Sequence, residues 1–298
     1  MRIAITGATG MIGSKMTAFL LAQGHQISAI TRRPSFRQAQ VSVIPWAPEL
    51  NYIETSQLEG FDVVINLAGS SIGEKWTPEY KKSILESRVQ STKILCKALA
   101  RVVSKPKLLI SASAIGYYGN HSPYDVRDEG NLWGDGFLAD VCHQWESETY
   151  PAGQEGIRVI HMRLGVVLSK SGGALAKMWR PFELGLGGIL GNGRQMMSWV
   201  ALDEIPYVIE HLIKNDSIKG PVNVVSPMAV SNSKFTKILG QVMRRPTLLP
   251  VPGFVIRLMF GEMGQSLLLD GVHVLPRRLQ ESGYRFHFPD LKDALKRS

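Results

Sequence analysis

The sequence of 298 residues predicts an α/β protein built on a doubly wound parallel β-sheet, with a small α/β substrate lobe toward the C-terminus. Two observations predict this class. Apolar strand candidates alternate with helical stretches through the first half of the chain, which is typical of parallel strands covered by helices on both faces. After Ser169 the composition changes to a glycine-rich segment with interleaved bulky apolar residues, which indicates loops over a site.

A glycine-rich turn joins the first predicted strand, residues 3–6, to the first predicted helix, residues 14–23. Gly7 permits a sharp turn, Gly10 lets a pyrophosphate approach the backbone, and Gly13 lets the helix pack closely on the sheet. Because the N–H groups at a helix start attract anions, we expect a Rossmann-type dinucleotide site here. The alternative is an ordinary strand-to-helix turn with three glycines. The predicted contacts are Gly7, Thr9, Gly10, Met11, Ile12 and Gly13.

The second predicted strand, residues 26–30, ends in Thr31-Arg32-Arg33. NAD-binding proteins usually place an acid here, which accepts hydrogen bonds from the ribose hydroxyls. A carboxylate would repel a 2′-phosphate, whereas a guanidinium binds it with paired hydrogen bonds. We therefore expect NADP(H) to be preferred over NAD(H), with Thr31, Arg32 and Arg33 as contacts. The alternative is a solvated basic pair at the end of a strand.

Further elements follow from apolar periodicity. Strands are predicted at residues 41–44, 63–67, 108–112, 159–163 and 221–225. Helices are predicted at residues 78–103, 138–154, 200–214, 233–243 (capped by Ser231 or Ser233) and 250–270. We expect residues 1–168 to form an NADP-binding Rossmann domain, to which a helix at about 201–214 returns. Residues 169–200 and 220–298 should form the substrate lobe.

The composition limits which partners the protein can have and in which compartment it is expected. The formal net charge is +9, but lysines and arginines cluster no more tightly than adjacent pairs, so we expect no nucleic-acid binding. There is no run of about eighteen apolar residues to span a membrane, and because a predicted strand begins at residue 3 we expect no signal peptide. Cys96 and Cys142 form no metal-binding pattern and suit a reducing cytoplasm. A cytoplasmic protein with a small-molecule substrate and no metal is expected, and a homodimer is compatible with the sequence.

Several motifs spread over essentially the whole chain resemble one family. They are residues 62–69 (DVVINLAG), Lys75-Trp76-Thr77-Pro78, Ser87-Arg88, residues 108–119 (LLISASAIGYYG), Trp145-Glu146, residues 163–168 (RLGVVL), Gly172-Gly173-Ala174, residues 185–193 and Pro276-Arg277-Arg278. Together with the glycine turn, they resemble the atypical extended short-chain dehydrogenases/reductases. This group is often called "epimerase family", or nucleoside-diphosphate-sugar epimerase of the cell-division-inhibitor type.

The resemblance implies roles for particular residues. Leu67, Ala68 and Gly69 would let the dinucleotide pass close above the sheet edge, and Arg88 would point toward it; a helix-surface ion pair is the alternative for Arg88. Ser113 would polarise a substrate carbonyl or merely bond local backbone.

Tyr117 or Tyr118 would serve as a substitute acid, or would only pack. This sequence departs from the superfamily pattern because no tyrosine has lysine four residues later: Leu138 and Cys142 stand at those positions.

Three further residues are candidates for substrate contact. Arg163 ends a predicted strand at the carboxyl edge, where it would bind an anionic group or form a structural ion pair. Arg194 and Trp199 lie in or beside the glycine-rich segment, where they would line the cleft or pack a loop. The favoured function is an NADP(H)-dependent oxidoreductase or epimerase acting on a small polar carbonyl or hydroxyl compound. A non-catalytic NADP(H) sensor is the alternative.

Overall fold

The computed structural model describes residues 1–33 and 35–298. The strands are β1 (Arg2–Thr6), β2 (Gln26–Thr31), β3 (Val41–Ala47), β4 (Tyr52–Ile53), β5 (Val63–Asn66), β6 (Leu108–Ala114), β7 (Val126–Arg127), β8 (Arg158–Leu164), β9 (Val166–Leu168), β10 (Met196–Met197), β11 (Trp199–Ala201), β12 (Gly220–Val224), β13 (Val230–Ser231) and β14 (His273–Val274). The helices are α1 (Met11–Ala22), α2 (Pro78–Arg101), α3 (Phe137–Ser147), α4 (Tyr150–Gln154), α5 (Gly173–Glu183), α6 (Ile205–Lys214), α7 (Asn232–Met243), α8 (Gly253–Gly264), α9 (Arg277–Glu281) and α10 (Leu291–Arg297).

One eight-stranded sheet organises the larger part of the molecule, with strand order β12-β8-β6-β5-β1-β2-β3-β4. The pairs from β12 to β3 are parallel, and the short edge strand β4 is antiparallel to β3. Two apolar layers cover its faces. Helices α1 and α6 pack on one side with Met16, Val208 and Leu212, while α2 packs on the other with Leu95 and Leu99. The prediction of a Rossmann-type doubly wound sheet is confirmed.

The C-terminal lobe has its own apolar core. Leu175 and Phe182 of α5, Phe235 and Leu239 of α7, and Leu295 of α10 share this cluster. Short strand pairs β10–β13 and β9–β11 flank the cluster. Within the described residues, no helix combines the length and the hydropathy needed to cross a membrane.

We predicted that all of residues 220–298 belong to the lobe, but β12 belongs to the large sheet. This strand pairs in parallel with β8, from Gly220 opposite Ile160 to Val224 opposite Leu164. Val222 and Val224 are fully buried. An apolar strand of this kind is stable inside a sheet that helices cover on both faces. The following α9 also packs on the sheet, with Leu279 in the same core cluster as α1 and α6.

Three helices begin or end at residues other than those predicted from the sequence. The predicted helix over residues 138–154 is divided into α3 and α4 because Pro151, in the first turn of α4, cannot continue the hydrogen-bond ladder of α3. The predicted helix over residues 200–214 starts only at Ile205; the residues before it form β11 and a 3₁₀ turn over Leu202–Glu204. The predicted helix over residues 250–270 is α8 followed by a π-helical turn over Gln265–Leu269.

Candidate functional site

Two loops meet where the strand order reverses, between β1 and β5. Ligands of open α/β sheets bind in the crevice at such a point. Gly7 has φ +67°, and a Cβ there would lie 2.7 Å from the carbonyl oxygen of Leu67. Thr6 Oγ1 accepts hydrogen bonds from the backbone N–H groups of Leu67 and Ala68 (3.0 and 3.1 Å) and donates to Asn66 Oδ1 (2.7 Å). These contacts fix the two loops against each other. We call residues 7–13 and 66–69 the nucleotide edge.

The first turn of α1 lies within this edge. Gly10 is the N-cap residue and provides no side-chain cap, so the first N–H groups of the helix have no side-chain acceptor. A Cβ on Gly13 would lie 2.1 Å from the carbonyl oxygen of Gly7, so packing requires glycine there. Gly10 differs, since its φ of −77° suits any residue and a Cβ would approach no atom closer than 3.3 Å. The exposed position at Gly10 therefore leaves free space above the helix start.

The neighbouring residues of the glycine turn lie in different surroundings. Thr9 is exposed, and Ile12 packs partly into the core under α1. Met11 contacts the lobe: its sulfur lies 3.3 Å from the position that a Cβ on Gly172 would take. Of these three side chains, that of Met11 thus joins the domain to the lobe.

The end of β2 presents cations to solvent. Arg32 and Arg33 are exposed, and the backbone N–H of Arg33 donates to Thr31 Oγ1 (3.1 Å). No carboxylate is present in Thr31-Arg32-Arg33. Two exposed guanidinium groups at this strand end can bind an anionic group such as a phosphate.

Arg88 of α2 lies directly behind the nucleotide edge. Its guanidinium donates to the carbonyl oxygens of Ser70 (2.9 Å) and Ile84 (3.1 Å), and it lies 5.3 Å from the ring centroid of Trp145. A Cβ on Gly69 would lie 3.3 Å from Arg88 Cζ. Burial lowers the pKa of Arg88, and in the described part of the chain no carboxylate pairs with it. The helix-surface ion pair considered for Arg88 is therefore not formed.

A second group of polar residues lies at the carboxyl ends of β6 and β8. Ser113 and Arg163 are opposite each other in the sheet, and both are buried. Arg163 binds Glu146 of α3 with two hydrogen bonds of 2.8 Å, and Ser113 Oγ donates to Glu146 Oε1 (2.7 Å). Burial opposes ionisation of Glu146, but the hydrogen bonds and charge of Arg163 hold its pKa below the usual value. Of the two roles considered for Arg163, the structure shows the ion pair, and Ser113 bonds the Glu146 side chain instead of the local backbone.

Tyr118 belongs to the same network. Its hydroxyl accepts from Arg163 Nη1 (2.9 Å) and donates to Asn223 Oδ1 (2.8 Å). Burial raises its pKa to about 12, and the side chain is fully enclosed. Tyr118 therefore has a structural role and is not positioned to donate a proton to a substrate. We call Ser113, Tyr118, Glu146, Arg163 and Asn223 the polar corner.

Tyr117 is arranged differently. Its ring lies under the Arg163 guanidinium, with Cζ 3.4 Å from the ring centroid, and stands edge-on to Tyr118. Its hydroxyl has no hydrogen-bond partner among residues 1–33 and 35–298. Of the three candidate hydroxyls, that of Tyr117 alone is uncommitted in the described structure.

The two positions that carry tyrosine and lysine in the superfamily face this region. The Cβ of Leu138 lies 3.3 Å, and the Cys142 sulfur 3.9 Å, from the position of a Cβ on Gly116. Burial raises the pKa of the Cys142 thiol to about 12, so it is neutral at physiological pH. Neither side chain supplies a charge.

The two remaining candidates lie apart from the polar corner. Trp199 is fully buried in the lobe core, and its indole N–H donates to the carbonyl oxygen of Met228 (2.9 Å). The prediction that Trp199 lines a cleft is corrected: Trp199 begins β11 and packs in the lobe core, where no face of its ring reaches solvent. Arg194 is exposed, and its backbone N–H donates to Asn192 Oδ1 (2.9 Å).

Two contributions to the site were not predicted. Asn66, the last residue of β5, joins the two loops and donates from Nδ2 to Thr92 (2.9 Å) and Ser111 (3.1 Å). The sequence signal for Asn66 was an amide side chain at the end of an otherwise apolar strand. Lys177 of the lobe bonds the carbonyl oxygen of Gly73 and lies 3.1 Å from Glu74, so the loop after β5 touches the lobe. No local pattern indicated that contact.

Comparisons with known proteins agree with this geometry. The model described as the NAD dependent epimerase/dehydratase family matches residues 3–225, and a domain of unknown function (DUF1731) matches residues 251–298. Epimerase family protein Mb2239 of Mycobacterium bovis is 40% identical over 294 residues, which cover 98% of this chain and 96% of that protein. The Arabidopsis thaliana protein named "Epimerase family protein SDR39U1 homolog, chloroplastic" is 38% identical over 302 residues, covering 99% and 86%.

A solved structure matches over the full length. Human epimerase family protein SDR39U1 (isoform2), crystallised with NADPH, superposes with a TM-score of 0.90 at 32% identity, covering 100% of this chain and 98% of that one. The fold, the glycine turn at the switch point and these relationships agree. The chain belongs to the NAD dependent epimerase/dehydratase family, as an atypical extended short-chain dehydrogenase/reductase.

Proposed function

We propose that this protein binds NADP(H) at the nucleotide edge and exchanges a hydride with a small polar carbonyl or hydroxyl compound. The observation that carries the proposal is Gly10. Its φ suits any residue, and a Cβ there would meet the Gly7 carbonyl oxygen at 3.3 Å, which is tight but not the collision found at Gly13, so the missing side chain also serves whatever lies above the start of α1. A dinucleotide pyrophosphate fits that space and the free N–H groups beneath it. The human relative, crystallised with NADPH, supports the same choice of ligand.

Each part of the cofactor has residues suited to it. The exposed guanidinium groups of Arg32 and Arg33 suit the 2′-phosphate of NADP(H). Ala68 and Gly69 allow close passage over β5. Arg88, a half-buried cation for which the described residues supply no carboxylate partner, suits an electron-rich part of the ligand next to Gly69. When bound, NADPH supplies the hydride that reduces a carbonyl carbon, and the carbonyl oxygen then needs a proton.

Tyr117 is the side chain we assign to that proton. Its hydroxyl is uncommitted, whereas those of Ser113 and Tyr118 are bonded within the polar corner. The Arg163 guanidinium over the ring stabilises negative charge that develops on the phenol oxygen when the proton leaves. The residue four positions after Tyr117 is His121 and not the lysine that holds the superfamily's tyrosine as a phenolate, so we expect slow turnover.

The test has two stages. NADPH binding is first titrated by fluorescence, and tight binding with NADPH preferred over NADH supports the cofactor assignment. Single-turnover oxidation of bound NADPH is then followed with a panel of small carbonyl compounds. Tyr117→Phe should slow the hydride step at least about tenfold without weakening NADPH binding. Tyr124→Phe, at a 94% exposed tyrosine, is the matched control. Full activity of Tyr117→Phe would refute the assignment of the proton donor.

One observation favours a second function. Ser113, Tyr118, Glu146 and Arg163 are hydrogen-bonded to one another and, through Tyr118, to Asn223, which is what a binding protein without chemistry would show. A non-catalytic NADP(H) sensor would bind NADPH tightly and change its protease sensitivity on binding. No carbonyl compound in the panel would then oxidise the bound NADPH.

A further inference from the structure

The lobe exposes apolar side chains that none of its own elements covers. They come from the end of α5, the segment before α8, and α8 itself. We call this surface the lobe patch: Leu184, Leu186, Leu248, Leu249, Phe254, Leu258 and Met259. Leu258 is 84% exposed, Leu248 81% and Leu184 69%. Monomeric proteins rarely leave so many large apolar side chains uncovered together, and such a surface marks an interaction site.

Backbone contacts join the segments that carry the patch. The N–H of Val251 donates to the carbonyl oxygen of Ile189 (2.8 Å), and the N–H of Gly191 donates to the carbonyl oxygen of Val251 (2.9 Å). A Cβ on Gly188 would lie 1.6 Å from the carbonyl oxygen of Leu249, so the two segments touch. Helix α8 begins only two residues after Val251. The three segments that carry the exposed residues are therefore adjacent in the fold.

The charges within the patch are almost all positive. Residues 180–191 and 244–259 contain four arginines and one carboxylate, Glu183. The arginines are Arg180, Arg244, Arg245 and Arg257, and all four are exposed. Within the described residues, no carboxylate forms an ion pair with any of them; Arg257 Nη1 donates to the neutral amide oxygen of Gln265 (3.2 Å). The carboxylate of Glu262, near the end of α8, is engaged by Lys81 (2.8 Å).

The positive charge of the lobe patch indicates which kind of partner would bind there. A second copy of the chain would meet the patch through a two-fold axis, so that both sides of the interface would be this same surface, with four arginines and one carboxylate on each side. An anionic surface has the complementary charge. Leucine, phenylalanine and methionine beside arginines are also the composition of helices that lie in the interface of an anionic bilayer.

We propose that the lobe patch docks on an anionic membrane surface, with Phe254 and Leu258 inserted between the lipids and the surrounding arginines on the headgroups. The contact is peripheral and involves α8 with the two segments beside it. It does not depend on the proposed chemistry, because none of the patch residues belongs to the nucleotide edge or the polar corner.

Flotation with vesicles tests the proposal on the full-length protein. Wild-type protein should float with vesicles of equal parts phosphatidylglycerol and phosphatidylcholine, and it should not float with phosphatidylcholine alone. Binding should fall as salt is raised. The double variant Phe254→Ser/Leu258→Ser should bind at least about tenfold more weakly, because the inserted apolar surface is lost. Arg245→Gln/Arg257→Gln should lose about 30-fold, since each arginine contributes to the attraction.

Val103→Ser is the matched control, because Val103 is 89% exposed on the nucleotide-binding domain. It should leave flotation unchanged, and all variants should unfold at the wild-type temperature. Failure of the wild type to float with anionic vesicles overturns the proposal. So does equal flotation with neutral vesicles. A concentration-dependent dimer that the Phe254→Ser/Leu258→Ser variant dissociates, without any flotation, would assign the patch to a second copy.

Discussion

The nucleotide edge and the polar corner lie at the same carboxyl edge of one sheet, yet they use their polar groups in opposite ways. At the nucleotide edge, Gly10 leaves backbone N–H groups free and the space above them empty of side chains. At the polar corner, the hydroxyls of Ser113 and Tyr118 and the charge of Arg163 are bonded to neighbours in the fold. A polar residue at a ligand-binding edge is therefore not evidence of reactivity until its partners are known.

The largest effect is expected when the carboxylate of the polar corner is removed, because this tests whether the polar groups there hold the fold together. Glu146→Ala leaves the Arg163 guanidinium buried without a counter-ion, which typically costs about 3–5 kcal/mol of unfolding free energy. Urea denaturation followed by circular dichroism measures this loss. Glu155→Ala, which breaks a half-exposed pair with Lys105, should cost at most about 1 kcal/mol. If Glu146→Ala were as stable as Glu155→Ala, the polar corner would not hold the fold together.

A substitution at Gly10 tests the other region. Gly10→Val should unfold near the wild-type temperature, because the φ of −77° accommodates valine, but its side chain should fill the space above α1. We expect NADPH affinity to fall at least about 100-fold, since both the close approach and the backbone hydrogen bonds are lost.

Gly13→Val is the contrasting variant. Its Cβ would collide with the Gly7 carbonyl at 2.1 Å, so it should fail to fold. Unchanged NADPH affinity in a folded Gly10→Val protein would show that the ligand does not lie over this turn.

The same contrast explains what the sequence could predict. The φ of +67° at Gly7 and the approach of Gly13 to the Gly7 carbonyl are features of a few neighbouring residues, so the glycine spacing alone indicates the turn. The strands β1, β5 and β6 are short apolar runs that only a covered sheet satisfies, and their positions were predicted to within two residues. The start of α7 also followed from local chemistry, because Ser231 accepts a hydrogen bond from the N–H of Lys234.

The failures depend on contacts between residues distant in sequence. Ser113 looks free in its strand, but its acceptor, Glu146, lies 33 residues away on another element. Trp199 follows a glycine-rich segment that suggests an exposed loop, yet its ring is enclosed by the lobe core. The place of β12 in the large sheet depends on its pairing with β8, which no local pattern encodes.

A smaller effect is expected at the outer end of the nucleotide edge. Arg32→Glu should weaken NADPH binding roughly 10–100-fold, because a charge-assisted contact with the 2′-phosphate becomes a repulsion. NADH, which lacks this phosphate, should bind with little change. Arg101→Glu makes the same charge change at the exposed end of α2 and should alter neither affinity. Equal wild-type affinities for NADH and NADPH would contradict the preference.

The smallest predicted effect concerns acid stability and sharpens the role of the polar corner. His161 lies beside it, with Nδ1 3.6 Å from Glu146 Oε2 and Nε2 2.8 Å from Thr149 Oγ1. Burial lowers the pKa of His161, which favours the neutral ring in the folded state. The unfolded chain therefore binds the proton more readily, and stability should fall as pH drops below the ordinary histidine value of about 6.5.

Glu146 acts in the same direction at lower pH. Its folded pKa is lowered, so its contribution is complete above the unfolded value and is lost as pH falls through the folded one. Urea midpoints at neutral pH and at about pH 5 separate the two groups, because glutamates with ordinary values near 4.3 remain mostly ionised there. His161→Gln should reduce the difference between these midpoints while keeping a polar partner for Thr149. His25 and His211 also have lowered pKa values, so part of the difference should remain. An unchanged difference would mean that His161 gains its proton as easily in the folded protein as in the unfolded chain, and that the polar corner is open to water.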